Sequence, residues 1–160
     1  VIPIRDYIKA NISAALTSVR SDRGDAKVST EVPKDYFIFD QAIAYKVPAV
    51  FVIGDTVDFR LDKGQNFIAA VCTVYVSVLV DDRSAEFLAY KCWRYQDALH
   101  MILDQTEIVD EEKNYKNTIK VTKAEFSNTF QMKAQNPGEE KNPFRKEVML
   151  TLEVEHMEKR

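Results

Sequence analysis

Lys146-Glu-Val-Met-Leu-Thr-Leu-Glu-Val-Glu-His156 decides how the fold is read. Val148, Leu150, Leu152, Val154 and His156 share one parity; Glu147, Thr151, Glu153 and Glu155 share the other. Strand side chains alternate between faces, so this is a half-buried strand with a wet outer face. A second strand, Phe67 to Val80, sets Ile68, Ala70, Cys72, Val74, Val76, Val78 and Val80 against Val71, Tyr75 and Leu79. Both its faces are apolar and β-branched residues dominate. It reads as a central strand whose second face needs helices or another subunit to cover it.

The helices follow from a different period. Ile4, Ile8, Ile12, Leu16 and Val19 make an amphipathic opening helix, with Pro3 suited to its first turn and Gly24 to its end. After Asp81-Asp-Arg-Ser84, Ser84 is an N-cap and Glu86 complements the first turn. Leu88, Cys92, Tyr95, Leu99 and Ile102 then carry a helix to about Gln105. A short strand, Ala49 to Ile53, is stopped by Gly54-Asp55, and a turn lies near residues 62–66. Residues 118–133 read as one long strand or two, with Ile119, Val121, Phe126, Phe130 and Met132 as core candidates.

The expected fold is therefore α+β: a mixed or antiparallel sheet of about four strands, with a single layer of two helices on it. Its 160 residues form one domain. Long loops are expected at about 25–46, 106–117 and 134–146; the last holds Pro137-Gly138 and Pro143, and the closing strand returns from it as a hairpin partner.

Composition narrows the function. Hydrophobic residues at 46% and charged residues at 29% are those of an ordinary globular chain, and a net charge of −3 gives no electrostatic case for wrapping nucleic acid. No apolar run approaches the roughly 18 residues of a membrane span, and residues 1–20 carry no signal-peptide core. Cys72 and Cys92 form neither a disulfide framework nor a metal spacing and read as buried thiols of a protein made in the cytosol.

The chemistry-bearing residues are sparse. His100 lies on the rim of the long helix, and His156 continues the inner register of the last strand near a frayed end; neither has a second ligand at metal spacing. The four glycines build no nucleotide-binding loop, and Ser77 and Ser84 lack a nucleophile elbow. Asp81 and Asp82 end a strand before a helix, where an active-site acid can sit, but where a solvated turn is commoner. The run from Glu107 to Glu112 suits a solvated loop better than a weak divalent-cation site. The sequence thus reads as a non-enzyme without metal or cofactor. Tyr90 and Trp93 lie off the buried stripe of their helix, either under the 25–46 segment or in a subunit interface.

Thr73-Val-Tyr-Val-Ser-Val-Leu-Val-Asp-Asp-Arg-Ser84, followed by a helix carrying Arg94-Tyr-Gln-Asp-Ala-Leu99, resembles the tail terminator, or tail-completion, proteins of tailed bacteriophages. The opening helix, the strand after Pro48 and the closing Leu150-Thr-Leu-Glu-Val154 strand match the same order. The resemblance runs from about residue 4 to 157 as pattern and order, without a short signature. It implies a structural virion protein of the tail and neck, made in the host cytoplasm. It implies a hexameric homo-oligomeric ring that caps the tail tube and ends its polymerisation. The tail tube protein and a head-completion or stopper protein would be the partners, with genome DNA passing through the lumen without specific binding and no membrane involved. Trp93, Tyr90, Phe144, Arg145, Glu111 and Glu112 are the interface candidates, Phe144 serving as an anchor or folding back on its own domain. The alternatives are a head-completion, stopper or other neck protein, a small-molecule-binding α+β domain, and a weak hydrolase built on Asp81 or Asp82.

Overall fold

A computed structural model describes residues 1–19, 30–39, 46–60, 66–131 and 142–159. Its elements are α1 (Ile2–Ser18), β1 (Asp35–Phe37), β2 (Ala49–Arg60), β3 (Phe67–Asp82), α2 (Ala85–Leu103), β4 (Thr106–Asp110), β5 (Tyr115–Phe126), β6 (Phe130–Gln131) and β7 (Phe144–Lys159). The class is α+β as expected, but among the described residues the sheet has seven strands rather than about four. The spatial order is β1-β2-β3-β7-β5-β4, with β6 also pairing β7. The sheet is mixed, because β1 runs parallel to β2 while the other pairings are antiparallel. It curls into a half-barrel.

The two strands that govern the sequence reading lie side by side at the centre. β3 and β7 pair from Phe67↔Lys159 to Asp82↔Phe144 without a break in register. Val74, Val76 and Val78 thereby oppose Leu152, Leu150 and Val148, and this face buries all six against the helices. Burying each such side chain stabilises the fold by about 1.5–3 kcal/mol. α2 adds Leu88, Cys92, Tyr95, Leu99 and Leu103, and α1 adds Ile4, Ile8, Ile12 and Leu16. Ser84 caps α2 as its sequence suggests, its hydroxyl accepting from the Phe87 N–H at 3.3 Å. The helix stops at Leu103, two residues early, because Asp104 is extended and Gln105 takes φ 58°.

Most departures lie outside this centre. β2 does not stop at Gly54-Asp55 but passes through a bulge between Gly54 and Thr56 and runs on to Arg60. The expected loop at 106–117 is a hairpin: β4, a turn at 111–114 with Asn114 at φ 55°, and the start of β5. The expected loop at 25–46 holds β1; its residues 25–29 and 40–45 lie outside the described residues. The loop at 134–146 is shortened at its end, since Phe144, Arg145 and Lys146 already belong to β7; residues 134–141 are outside the description.

Residues 118–133 do divide in two. Ser127 makes the break, its N–H donating to the Glu147 carbonyl and its hydroxyl accepting from the Glu147 N–H, both at 2.9 Å. Ile119 is fully buried and Val121 packs against the core, but Phe126 and Phe130 are exposed rather than internal. Met132 lies outside the described residues.

Candidate interaction surfaces

The helices cover one face of the sheet. On the other face, the odd-numbered residues of β3 and β7 stand beside Thr56, Asp58 and Arg60 of β2 and Lys116, Thr118, Lys120 and Lys123 of β5. Near β1 this face is partly filled. Phe37 stacks on Phe51 at 5.3 Å between ring centroids, and the Ser77 hydroxyl donates to the Glu147 carboxylate. Further down it is wet and charged: Arg60 faces Glu155 at 4.0 Å, Lys116 meets Glu107 at 2.6 Å, and Lys123 meets Glu125 at 2.7 Å.

Two stretches of strand are exposed along their length. Residues 54–60 of β2 are exposed without interruption, and β1 pairs β2 only as far as Phe51. Phe59 is 73% exposed, the highest value among the large apolar residues described, with Val57 exposed beside it. At the diagonally opposite corner, β5 is exposed from Thr122 to Phe126, where β4 no longer flanks it. The alternation Thr56-Val-Asp-Phe-Arg60 was the available sequence signal for the first of these. It is masked by Gly54, which reads as a stop.

The six expected interface residues fall at three separate places. Trp93 and Tyr90 stand together on the outer side of α2, ring centroids 5.6 Å apart, with Trp93 38% exposed and the Tyr90 hydroxyl donating to Glu86 at 3.2 Å. Phe144 and Arg145 open β7. Phe144 packs against the core, as one of its two expected placements had it, and Arg145 opposes Asp81 in register. The Arg145 Nε is buried without a hydrogen-bond partner among the described residues. Glu111 and Glu112 occupy the exposed β4–β5 turn, beside a groove of about 490 Å³ shared with Ile2, Asp6 and Tyr7.

The residues weighed for chemistry are structural in their contacts. Asp82 meets Lys91 at 2.6 Å and accepts from the Ser84 N–H at 2.8 Å, tying the end of β3 to α2. Burial pushes its carboxyl up, but Lys91 and the backbone donors of Ser84 and Arg83 outweigh that and hold it below the ordinary value. Asp81 goes the other way, raised by burial against the opposing pull of Asn142, Arg145 and Lys91. His100 is an exposed rim residue 3.9 Å from Asp104.

His156 is not at a frayed end. It sits in the paired part of β7, its Nδ1 2.7 Å from Asn117 Oδ1, and the two line a pocket of about 390 Å³ with Ile4, Val57, Cys72 and Val154. Burial lifts the Cys72 thiol and pushes Cys92 up to about 12, so neither is an activated nucleophile. Among the described residues, no three or more His, Cys, Asp and Glu converge as a metal site, and no helix is long and apolar enough to cross a membrane.

No family model matches the chain, and no curated protein matches it. Among solved structures, it is similar to a chain of the virion of a native gene transfer agent (GTA) particle, 11% identical over 94% of each chain, with a TM-score of 0.38.

Proposed function

We propose that this protein is a structural virion component that forms a ring on the end of a phage tail tube, stops its polymerisation and joins it to the head-neck complex. The observation that carries the reading is the sheet's uneven coverage. Helices bury one face, while the lower part of the other face and the outer lengths of β2 and β5 are exposed. Long exposed strand edges are a liability in an isolated protein and are kept where a partner covers them. The resemblance of the strand–turn–helix segment 73–103 to tail terminators supplies the kind of assembly. The mixed charge of the open face suits a lumen through which DNA slides rather than sticks. Trp93 with Tyr90, Arg145 at the entry to β7, and Glu111–Glu112 are the surfaces for tube, neighbour and stopper protein.

The test is electron microscopy of lysates from a phage from which this gene is deleted. Overlong, headless tails are the expected result. Normal-length tails beside unjoined or leaking heads would move the protein to the head side of the neck, and intact virions would overturn both roles. The pocket at Asn117 and His156 favours a second reading, a small-molecule-binding domain. Its test is a thermal-shift screen of the wild type against His156→Ala.

A further inference from the structure

We infer that the pocket at Asn117 and His156 takes a small uncharged molecule, with an apolar body lying on the sheet and one carbonyl oxygen held by the Asn117 side-chain amide. This rests on the second reading above, gives that reading a ligand class, and is independent of the ring. The floor of the pocket follows from strand register. Val57, Cys72 and Val154 form one row across β2, β3 and β7. His156 opposes Asn117 in the next row, two residues along β7 and so on the same face. Ile4 of α1 and Val74 complete the apolar wall. At about 390 Å³ the pocket is more than ten times the roughly 30 Å³ that a water occupies in the liquid, and it falls within the range of ordinary ligand sites.

One polar group on that floor lacks its complement. Asn117 is only 8% exposed. Its Oδ1 lies 2.7 Å from the His156 Nδ1, which leaves Nδ2 as the free end of the amide. Among the described residues no protein group accepts from this nitrogen. Nor is it sealed off, because the buried side-chain atom without a partner among those residues is the Arg145 Nε; the Asn117 Nδ2 opens into the pocket that its residue lines. An amide nitrogen has two hydrogens to donate, and in a residue this deeply set they are normally given an acceptor. The apolar neighbours Ile4, Cys72 and Val154 supply none, and the second nitrogen of His156 is turned to Glu158 at 3.6 Å.

Charge decides against an ion. No lysine or arginine lines the pocket. Asp55 is among the lining residues, but its carboxylate accepts from the Tyr75 hydroxyl at 3.2 Å, and Tyr75 has the opposite parity to Cys72 along β3. An anion at Asn117 would lose hydration with only His156 to offset the loss, and with the Glu158 carboxylate close behind that ring. A cation would meet the donor end of the amide. A neutral carbonyl escapes both costs and supplies the acceptor that Nδ2 lacks.

The experiment compares acetophenone, its hydrocarbon counterpart cumene, and benzoate on the wild-type protein. Cys72 is the reporter, since it lines the pocket and is partly exposed while Cys92 is fully buried. Acetophenone should slow alkylation of Cys72 saturably and shift the Asn117 side-chain amide signals in NMR spectra. Cumene should bind roughly two- to tenfold more weakly, the net worth of one hydrogen bond. Benzoate should bind at least about tenfold more weakly than acetophenone, having to bring its charge out of water. Asn117→Leu should erase the advantage of acetophenone over cumene. Val57→Trp, at an exposed position, should block the pocket and leave the fold intact. Cumene or benzoate binding as well as acetophenone would overturn the ligand class and leave the small-molecule reading standing. Acetophenone binding that ignores both variants would overturn the site. If no probe protects Cys72, the inference fails, and the small-molecule reading is then judged by the thermal-shift screen alone.

Discussion

Leu150 and Phe59 stand in long strands of one sheet, yet Leu150 is wholly buried and Phe59 is the most exposed large apolar residue described. Both belong to alternating stretches with β-sheet character. The difference is what lies above them. Leu150 is in β7, flanked by β3 and β5 and roofed by α2; Phe59 is in the exposed part of β2, beyond its pairing with β1. Alternation therefore reports that a strand has a preferred side. It does not report whether the chain's own helices or a second molecule provide the cover.

The largest effect expected from that contrast is at the roofed end. Leu150→Ala should lower stability by about 3 kcal/mol, because its close-packed neighbours can collapse only partly into the cavity. Urea unfolding would measure it, as a shift of midpoint at constant slope. A loss under 1 kcal/mol would mean that β7 is not the centre of the core.

Second in size is the ion pair joining the end of β3 to α2. Lys91→Met should cost about 1–3 kcal/mol at neutral pH, since Asp82 would keep its burial and lose its strongest partner. Its pH signature separates it from a packing defect. Asp82 is held below its ordinary value of 3.8, so its contribution is complete above that value and is lost as pH falls through the lower folded one. Asp81 is raised by burial, so it opposes folding at neutral pH and that opposition is relieved as pH drops through its higher folded value. The variant should thus lose the Asp82 part of the acid limb. An acid limb identical to that of the wild type would contradict this.

Tyr95→Phe comes next. The buried hydroxyl donates to the Glu31 carbonyl, binding the 30–39 segment to α2, and burial raises the phenol well above its usual range. Removing the hydroxyl keeps the ring's packing but leaves the carbonyl unsatisfied, for about 1–2 kcal/mol by thermal or urea unfolding.

The roofed region was legible in the sequence and the projecting one was not, for a physical reason. Val74, Val76, Leu150, Leu152, Leu88 and Leu99 obey periods set by burial, and burial within one chain is what periodicity records. Ser84 announces a helix because its hydroxyl does one local job. The outer half of β2 was hidden by Gly54, which reads as a stop but lies at the bulge between Gly54 and Thr56. The β4–β5 hairpin was hidden by its charge. Glu107, Asp110, Glu111 and Glu112 look like a solvated loop, yet Thr106 and Ile108 still turn inward towards Ile119 and Asn117. Phe126 and Phe130 read as core in the sequence because a hydrophobic residue signals cover without saying whose. Of the expected interface set, Trp93 and Tyr90 could be placed on an outer helix face from their phase. The exposed length of β2, residues 54–60, could not be found, because an edge is a property of sheet order and sheet order is not local.

The smallest expected effect on stability is therefore the most informative about function. Phe59→Ser removes a large ring, but one already in water, so unfolding should shift by no more than about 0.5 kcal/mol. If the β2 edge is covered by a neighbour, the same change should weaken self-association at unchanged fold, visible by light scattering beside an unaltered urea midpoint. Leu150→Ala should do the reverse wherever the folded fraction is kept high, leaving the edges unaltered and the association intact. Should Phe59→Ser instead destabilise the monomer strongly, the β2 projection would be packed on its own chain, and the contrast between the two ends of the sheet would collapse. A change in association without a change in stability can come only from a surface used between molecules.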